Sequence, residues 1–322
     1  MYEYPFEMTR SFREEIIGRT DIIEKDRKEK DEKMLINEEC RSCMIRRNIN
    51  SYPKDAAKQE IEVYQKRLTD IMEHSEGLST PQVAEKIHQL RDELFGNETD
   101  YTAIKRHYNG LMLTMLPYME EKVERSEDRL KTAIRYAMVG NYIDFGALEN
   151  VSEQELKKQL DEAEDISIDP EILKCFRKEV RSAQRLVYFT DNCGEVVADK
   201  LLISVLKEEK PDLTVTVIVR GKPTVNDATL EDMKQIKMEE VAHRVIGNGN
   251  GMPGNVISTL SAEAMEEVEK ADLLISKGQG NYEGLSGCGL NVFYLFLCKC
   301  ELFMRRFSVP KYTGIITREP RE

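Results

Sequence analysis

The pattern of apolar residues changes near residue 183, and this change limits the folds that the chain can adopt. From about residue 10 to residue 182, apolar residues recur at helical spacing among Glu, Lys, Arg and Gln. Beyond it, short apolar runs divided by Gly, Asn and Asp alternate with helical stretches. Such alternation is typical of parallel strands joined by crossover helices. We therefore predict an α/β fold, with an all-helical domain over 1–182 and an α/β domain over 183–322.

The second half contains four clear strand patterns, a fifth near its end, and three helix patterns. The predicted strands cover 186–190, 214–219, 244–246 and 272–276, with a last one within 309–317. The predicted helices cover 195–208, 229–236 and 261–270. In the first half, Ser79-Thr80-Pro81 predicts a helix start, because a capping hydroxyl precedes a proline in the first turn.

Polar residues and glycines follow the first four of these strands. Asp191 and Asn192 come after the first strand, Asp227 lies in the loop after the second, and Lys277 follows the fourth. The loop after the third strand is the glycine-rich segment 247–251. Because the carboxyl ends of parallel strands share one edge of a sheet, we expect the four loops to form a single crevice.

The residue types in this crevice suit a metal and a phosphate. Two carboxylates and one carboxamide oxygen, from Asp191, Asn192 and Asp227, form a ligand set for Mg²⁺ or Mn²⁺. Lys277 would place a fixed positive charge on phosphate, and Gly194 and Gly278 would let backbone N–H groups approach its oxygens. Gly280 would act in the same way.

Each element also has a simpler interpretation. An Asp-Asn pair after a strand is often a turn or a helix cap, and Asp227 lies where it could cap the helix predicted at 229. Lys277 could be a solvated surface lysine. The joint placement of these residues at one edge favours a site.

The sequence also contains partial matches to the motifs of two other kinds of site. Segment 249–254 matches the spacing G-x-G-x-x-G of nucleotide or S-adenosylmethionine sites, but Pro253 lies inside it and it follows the third strand instead of the first. Haloacid-dehalogenase-type phosphatases carry a second Asp two residues after the nucleophilic Asp. Here Cys193 occupies that position after Asp191, so metal-activated water is favoured over a phosphoaspartate.

Composition excludes several partners. A net charge of −12 and a pI near 5.1 argue against nucleic acid and against an anionic membrane surface. No apolar run approaches the roughly 20 residues of a transmembrane helix, and the first residues lack the basic and apolar regions of a signal peptide, so we expect a cytoplasmic protein. The four histidines lie outside the four loops, which disfavours a histidine-based mechanism. The seven scattered cysteines suggest reduced thiols.

Seven segments of the chain resemble one known family. In the α/β half they are DNCGE at 191–195, RGKPTVNDAT at 220–229, GNGNGMPG at 247–254 and SKGQGNYEG at 276–284. In the helical half they are CRSC at 40–43, DYTAIKRHYNG at 100–110 and GNYIDFG at 140–146. Together they resemble the metal-dependent damage-control phosphatases, long catalogued as domain of unknown function 89. The Cys-x-x-Cys pair is similar to the stand-alone, mostly prokaryotic branch.

The resemblance implies a three-layer α/β/α sandwich, with a mostly parallel sheet, joined to an all-helical N-terminal domain. It implies a divalent metal (Mg²⁺, Mn²⁺, Co²⁺ or Ni²⁺) held by the residues matching Asp191, Asn192 and Asp227. It also implies a group of substrate- or phosphate-binding positions. That group is Asn141, Asp144, Glu195, Lys277, Gln279 and Asn281.

The site residues and the resemblance together predict a divalent-metal-dependent phosphatase that hydrolyses phosphomonoesters of small metabolites. The resemblance implies that these include damaged metabolites, such as sugar phosphates or phosphopantetheine derivatives. Asp191, Asp227 and Lys277 are the candidate catalytic residues, since either carboxylate would orient the attacking water and the lysine would offset charge on the phosphate. The alternatives are an S-adenosylmethionine-dependent carboxyl methyltransferase and a non-catalytic phosphometabolite-binding protein. We interpret Cys40 and Cys43 as a structural or site-adjacent pair, with a zinc site and a redox pair as the competing interpretations. No oligomeric state is predicted.

Overall fold

A single six-stranded sheet lies at the centre of the molecule. The computed structural model describes residues 33–96, 100–140 and 153–321. The strands are β1 Arg185–Phe189, β2 Thr214–Val219, β3 Arg244–Gly247, β4 Leu273–Lys277, β5 Val292–Leu297 and β6 Gly314–Glu319. Their order is β3-β2-β1-β4-β5-β6, and all neighbours are parallel except β6, which is antiparallel to β5. This mostly parallel sheet confirms the predicted α/β class.

Helices account for the regular structure before β1 in the described ranges. They are α1 Glu38–Asn48, α2 Lys58–Glu73, α3 Thr80–Phe95, α4 Thr102–Arg125, α5 Arg129–Val139, α6 Glu153–Asp161 and α7 Pro170–Ser182. The helices between and after the strands are α8 Glu195–Glu209, α9 Leu230–Gln235, α10 Ala262–Lys270, α11 Gln279–Leu285 and α12 Glu301–Phe307. Helix α3 begins as its sequence predicts: Ser79 caps it, and the Ser79 backbone N–H donates to Gln82 Oε1 at 2.9 Å.

Alternate residues of each strand face two different apolar layers. Leu186 and Tyr188 of β1 pack in a core cluster with residues of α4, α5, α7 and α8. Val187 and Phe189 pack in a second cluster with residues of α10, α11 and α12. Side chains that alternate in this way bury both faces of the sheet, which gives the three-layer sandwich.

The helical half divides between two packing environments. Buried residues of α1, α2 and α3 form a cluster of their own, which includes Tyr64, Leu68 and Ile87. Helices α4, α5 and α7 instead share the cluster that covers one face of the sheet. The secondary structure changes close to residue 183, where the sequence places the boundary, but the core is continuous across it. The division into domains 1–182 and 183–322 stays a prediction.

One central strand escapes the sequence pattern. The strand β5 lies within the apolar run 290–298, and all six of its residues are buried. A strand that is buried on both faces shows no alternation of apolar and polar residues, so its period is invisible. The last strand is Gly314–Glu319, and it overlaps only the end of the predicted 309–317. Within the described ranges, no helix combines the length and the apolar character needed to cross a membrane.

Candidate active site

The first two strand ends come together as the sequence predicts. Asn192 and Asp227 pair in an isolated antiparallel bridge, and the Ala228 backbone N–H donates to Asp191 O at 2.8 Å. The strand order reverses between β1 and β4, so these residues lie at the switch point where open α/β sheets bind ligands. The side chains of Asp191 and Asp227 are only 15% and 9% exposed.

The turn after β1 is held by the helical half of the chain. The Gly194 backbone N–H donates to Asn109 Oδ1 of α4 at 2.6 Å, and Gly194 has the left-handed φ of +71° that precedes α8. The Cys193 N–H donates to Asn226 O at 2.8 Å. Burial raises the pKa of the Cys193 thiol to about 12, so this buried side chain is an unreactive thiol.

The two predicted carboxylate ligands sit in an excess of negative charge. Burial, followed by the neighbouring carboxylates Glu195 and Asp227, raises the pKa of Asp191 to about 7. Burial also raises the pKa of Asp227, against the opposing effect of Arg220. The Arg220 guanidinium donates from Nε to Asp227 Oδ2 at 2.6 Å, and its Nη2 lies 3.9 Å from Asp191 Oδ1. A carboxylate whose charged form is disfavoured in this way gains from a nearby cation.

The donor set fits a divalent cation that prefers oxygen. Within the described residues of the crevice, three buried carboxylates and one partly buried carboxylate are packed around two buried cations. The carboxylates are those of Asp191, Glu195, Asp199 and Asp227, and the cations are Arg220 and Lys277. No group of three or more His, Cys, Asp or Glu side chains arranged as a ready metal site occurs in the described part of the chain. A bound ion would therefore take two carboxylates, the Asn192 oxygen and water, which is the mixed shell that Mg²⁺ adopts.

Gly278 shapes the site by having no side chain. It has a φ of +83°, and a Cβ at this position would overlap the carboxylate of Asp191. Asp191 is thus held directly against the backbone that follows β4. The Asn192 side-chain amide donates to Asp191 Oδ2 at 2.8 Å, so its oxygen is the atom suited to a cation.

Lys277, the last residue of β4, is fully buried beneath the crevice that the strand ends form. Its ammonium donates to Ala137 O at 2.7 Å, to Asp199 Oδ1 at 2.6 Å and to Glu195 Oε1. Burial alone would lower the pKa of Lys277, but Asp199 and Glu195 raise it above its usual value. An ammonium has three protons, and all three are engaged, so a direct contact with phosphate requires one of these bonds to be exchanged.

Glu195 and Asp199 are placed by one turn of α8. They lie four residues apart on the same helical face, where both reach Lys277. Glu195 Oε2 also accepts from Asn192 Nδ2 at 3.4 Å, and Asp199 Oδ1 accepts from the Tyr188 hydroxyl at 2.7 Å. Sequence reasoning did not find Asp199. The signal it missed is a carboxylate one turn after Glu195 on the apolar face of a helix.

The two other residues of the SKGQGN segment have different environments. Asn281 is buried and donates to Thr190 O at 3.0 Å and to Lys277 O at 2.6 Å. Its Oδ1 accepts from Arg220 at 3.1 Å and from the Asn255 backbone at 2.8 Å, so it ties the strand ends together. Gln279 accepts from the Lys299 N–H at 3.1 Å. Asn141 and Asp144 lie outside the described residues. The substrate-binding roles of all four remain predictions.

Arg220 is a second residue that sequence reasoning missed. Its bonds to Asp227 and Asn281 place a buried guanidinium beside the predicted ligands. The signal was available, since Arg220 is the first residue after the apolar strand β2. An arginine at a strand end is as easily assigned to the surface, and only the sheet order shows that it points between two carboxylates.

The glycine-rich segment is a packing element. A Cβ at Gly249 would lie 2.7 Å from Ser261 Cβ, and a Cβ at Gly254 would lie 2.6 Å from Gly280 O. The segment leads into a short 3₁₀ turn at Ile257–Thr259, and the next helix begins only at Ala262. A dinucleotide fingerprint instead leads directly into a helix. These glycines allow two loops of the sheet edge to pack closely.

The Cys40 and Cys43 thiols are free and half-buried. Burial, followed by the nearby Glu283, raises the pKa of Cys40 to about 11, and Cys300 contributes to the same effect. Helix α1 is joined to α12 by an ion pair between Glu39 and Arg305. These contacts agree with a structural pair, although the structural, zinc and redox interpretations are all still predictions.

Comparison with known proteins identifies the family. The model of the damage-control phosphatase ARMT1-like domain matches residues 36–315. A damage-control phosphatase of Archaeoglobus fulgidus is 35% identical over 233 residues, which cover 70% of this chain and 78% of that relative. A damage-control phosphatase of Pyrococcus horikoshii is 32% identical over 224 residues, which cover 68% of this chain and 74% of the relative.

A solved structure agrees with this assignment. A DUF89 family protein from Pyrococcus horikoshii has a TM-score of 0.75 and 26% identity, over 88% of this chain and 99% of that one. The doubly wound sheet, with an acidic crevice at its switch point, defines the open α/β class, whose members generally bind ligands at the strand ends. More narrowly, the chain belongs to the damage-control phosphatase ARMT1-like family.

Proposed function

We propose that the protein is a divalent-metal-dependent phosphatase that hydrolyses phosphomonoesters of small metabolites. The name that two relatives share, damage-control phosphatase, supports a phosphatase acting in metabolite repair. The observation that carries the metal dependence is the group of closely packed carboxylates at the switch point, where burial, followed by the neighbouring Glu195 and Asp227, raises the pKa of Asp191. A divalent cation would relieve this repulsion and would also attract a phosphate.

The ligands of that cation would be Asp191, Asn192 and Asp227. When bound, Mg²⁺, Mn²⁺, Co²⁺ or Ni²⁺ would supply Lewis-acid polarisation of the phosphoryl group. Arg220 fixes the orientation of Asp227 through its 2.6 Å bond and brings a buried positive charge close to the phosphate position. Such preorganised charge stabilises a phosphoryl-transfer transition state.

Glu195 and Lys277 act behind these ligands. Glu195 accepts from both Asn192 and Lys277, so it links the ligand shell to the buried lysine. Lys277 forms a fully buried ion pair with this carboxylate and so holds Glu195 in place behind the ligands. It meets the phosphate itself only if a bond to Ala137, Glu195 or Asp199 is exchanged on binding.

The test is metal-stimulated hydrolysis of a generic phosphate ester by purified protein, with each of the four metals in turn. Asp191→Asn and Asp227→Asn should each lower kcat by at least about 100-fold, because each removes a ligand charge. Asp212→Asn, at an exposed carboxylate paired with Lys210, is the control and should leave turnover unchanged. Full metal-stimulated turnover in both site variants would contradict the proposal.

The other two functions have no specific observation in their favour. The contacts of Gly249 and Gly254 give the glycine-rich segment a packing role, which removes the main reason to expect S-adenosylmethionine binding. A non-catalytic phosphometabolite-binding protein would use the same crevice. It would show tight, saturable binding of a phosphorylated metabolite with no release of phosphate.

A further inference from the structure

A cavity of about 550 Å³ lies beside the turn that leads to Asp227, although none of the four carboxylates of the site lines it. It lies between α3 and α4 on one wall and the segment 223–235 on the other. Thr224 lines it and accepts from the Asp227 backbone N–H at 3.0 Å, so the cavity wall and a predicted metal ligand share one tight turn. The volume is typical of small-molecule sites, and a hexose would fill only part of it.

The tip of that turn is strained. Val225 has a φ of +43°, and it is the β-branched member of the four non-glycine residues with positive φ in the described ranges. Glycine or asparagine normally takes such a position, since a β-branched side chain is disfavoured there. Val225 is also 40% exposed and lines the cavity, so the core gains little from it. Residues strained in this way are concentrated at active sites and ligand-binding loops.

The walls carry more polar than apolar surface and no net positive charge. Apolar and aromatic surface comes from Phe95, Tyr101, Pro223 and Val225. The charged lining residues are Arg91, Lys105 and Arg106 against Asp92, Asp100, Glu231 and Asp232. Lys105 is already paired with Asp232 at 2.7 Å. A second anionic group would gain nothing in this cavity, whereas an uncharged group would place an apolar face against these four side chains.

We propose that this cavity binds the uncharged organic part of the substrate and that Val225 determines specificity for it. The substrate class is a phosphomonoester whose alcohol is larger than a hexose and carries an apolar or aromatic face. The inference rests on the proposed phosphatase function, because it assumes that the phosphate occupies the crevice beside Asp227. The strained turn then places Val225 on the substrate while it fixes Asp227 on the other side.

The test compares Val225→Ala with Leu230→Ala on two substrates, 1-naphthyl phosphate and glycerol phosphate. Leu230 is a matched control, because it is 42% exposed on the same segment but does not line the cavity. We expect Val225→Ala to raise KM for naphthyl phosphate about 10-fold, because the two lost methyl groups are part of the apolar wall of the cavity. Its KM for glycerol phosphate should stay within about twofold of the unmodified protein, and Leu230→Ala should change neither value.

Three results would overturn the proposal. Equal losses on both substrates would mean that Val225 acts only by placing Asp227. Unchanged kinetics would mean that the cavity does not contact the substrate. A clear fall of Tm in Val225→Ala would assign Val225 to structural packing, whereas relief of strain predicts an equal or higher Tm.

Calorimetry with non-hydrolysable phosphonates separates this proposal from the proposed function. If the protein hydrolyses neither substrate, the phosphatase assignment fails, but the cavity is still testable by binding. Naphthyl phosphonate should then bind more tightly than methylphosphonate, and Val225→Ala should remove most of that difference. Equal binding of the two phosphonates would overturn the cavity assignment whatever the outcome of the activity assay.

Discussion

At the scale of single residues, Gly278 is the position of the site that least tolerates an added side chain. Gly278→Ala should abolish metal-stimulated activity and destabilise the protein by about 2 kcal/mol or more, because a left-handed φ is costly for alanine and the new Cβ overlaps Asp191. Gly110→Ala is the matched control, since it lies within α4 with no neighbouring atom within 4 Å of its Cβ. That change should stabilise by up to about 1 kcal/mol. Urea unfolding and an activity assay measure both, and normal activity in Gly278→Ala would contradict the geometry.

Glu283 should make stability depend on pH. Burial raises the pKa of this carboxyl from 4.5 to about 7, so the folded protein keeps a proton that the unfolded chain releases. The contribution of Glu283 to stability is therefore complete below about pH 4.5 and falls as the pH rises to about 7, by up to about 3 kcal/mol. Glu283→Gln keeps an acceptor for Gln279 and removes the titration. Parallel Tm-against-pH curves for the two proteins would show that Glu283 is not the group responsible.

The sequence identifies site residues best where a polar side chain follows a predicted strand. Asp191, Asn192 and Asp227 are polar residues at strand ends, and the sheet brings them together. Arg220, Asp199 and Asn109 were missed, because their importance depends on which elements are neighbours. For Lys277, the residue type suggested a contact with phosphate. In the structure its side chain instead points into the protein, where it contacts Glu195 and Asp199 of helix α8. The residues next to Lys277 in the sequence do not show which helix packs against β4, so the orientation of this side chain could not be predicted.

At the scale of elements, the contact between β4 and α8 depends on Lys277. Lys277→Met should destabilise the protein by about 3 to 5 kcal/mol, since it leaves Glu195 and Asp199 buried without their cation. Lys270→Met removes an exposed pair with Glu266 at the end of α10 and should cost less than about 1 kcal/mol. A lysine needed only for phosphate would instead leave stability intact in the absence of substrate. Chemical denaturation of both variants, without metal or substrate, distinguishes these cases.

Elements with a visible period were predicted well. Helix α8 was expected over 195–208 and is Glu195–Glu209, and strand β2 matches its prediction at both ends. The strand β5 was missed for a physical reason, since a strand buried on both faces has no alternation that marks it as a strand. The last strand was shifted, because a turn through Ser308 and Tyr312 with positive φ precedes it.

At the scale of the whole molecule, the crevice depends on both halves of the chain. Asn109 of α4 holds the turn after β1, and its side-chain amide also donates to Asp232 at 2.8 Å. Lys105, one helical turn earlier, pairs with the same Asp232. The helical half therefore forms one wall of the site and fixes the loops of the other. A site built across two packed layers is rigid only while both layers are present.

The continuous core leads to a prediction about fragments. A chain of residues 183–322 should not fold as a compact domain, because one face of its sheet would lose the buried side chains of α4, α5 and α7. Among the described helices, a chain of residues 100–322 lacks only α1, α2 and α3, whose core is separate, and it should still unfold cooperatively, at lower stability. Gel filtration, dye binding to exposed apolar surface and thermal unfolding would compare the two. If the 183–322 fragment were monomeric and unfolded cooperatively, the boundary predicted from the sequence at residue 182 would divide two independent domains, and the shared core would be only an interface between them.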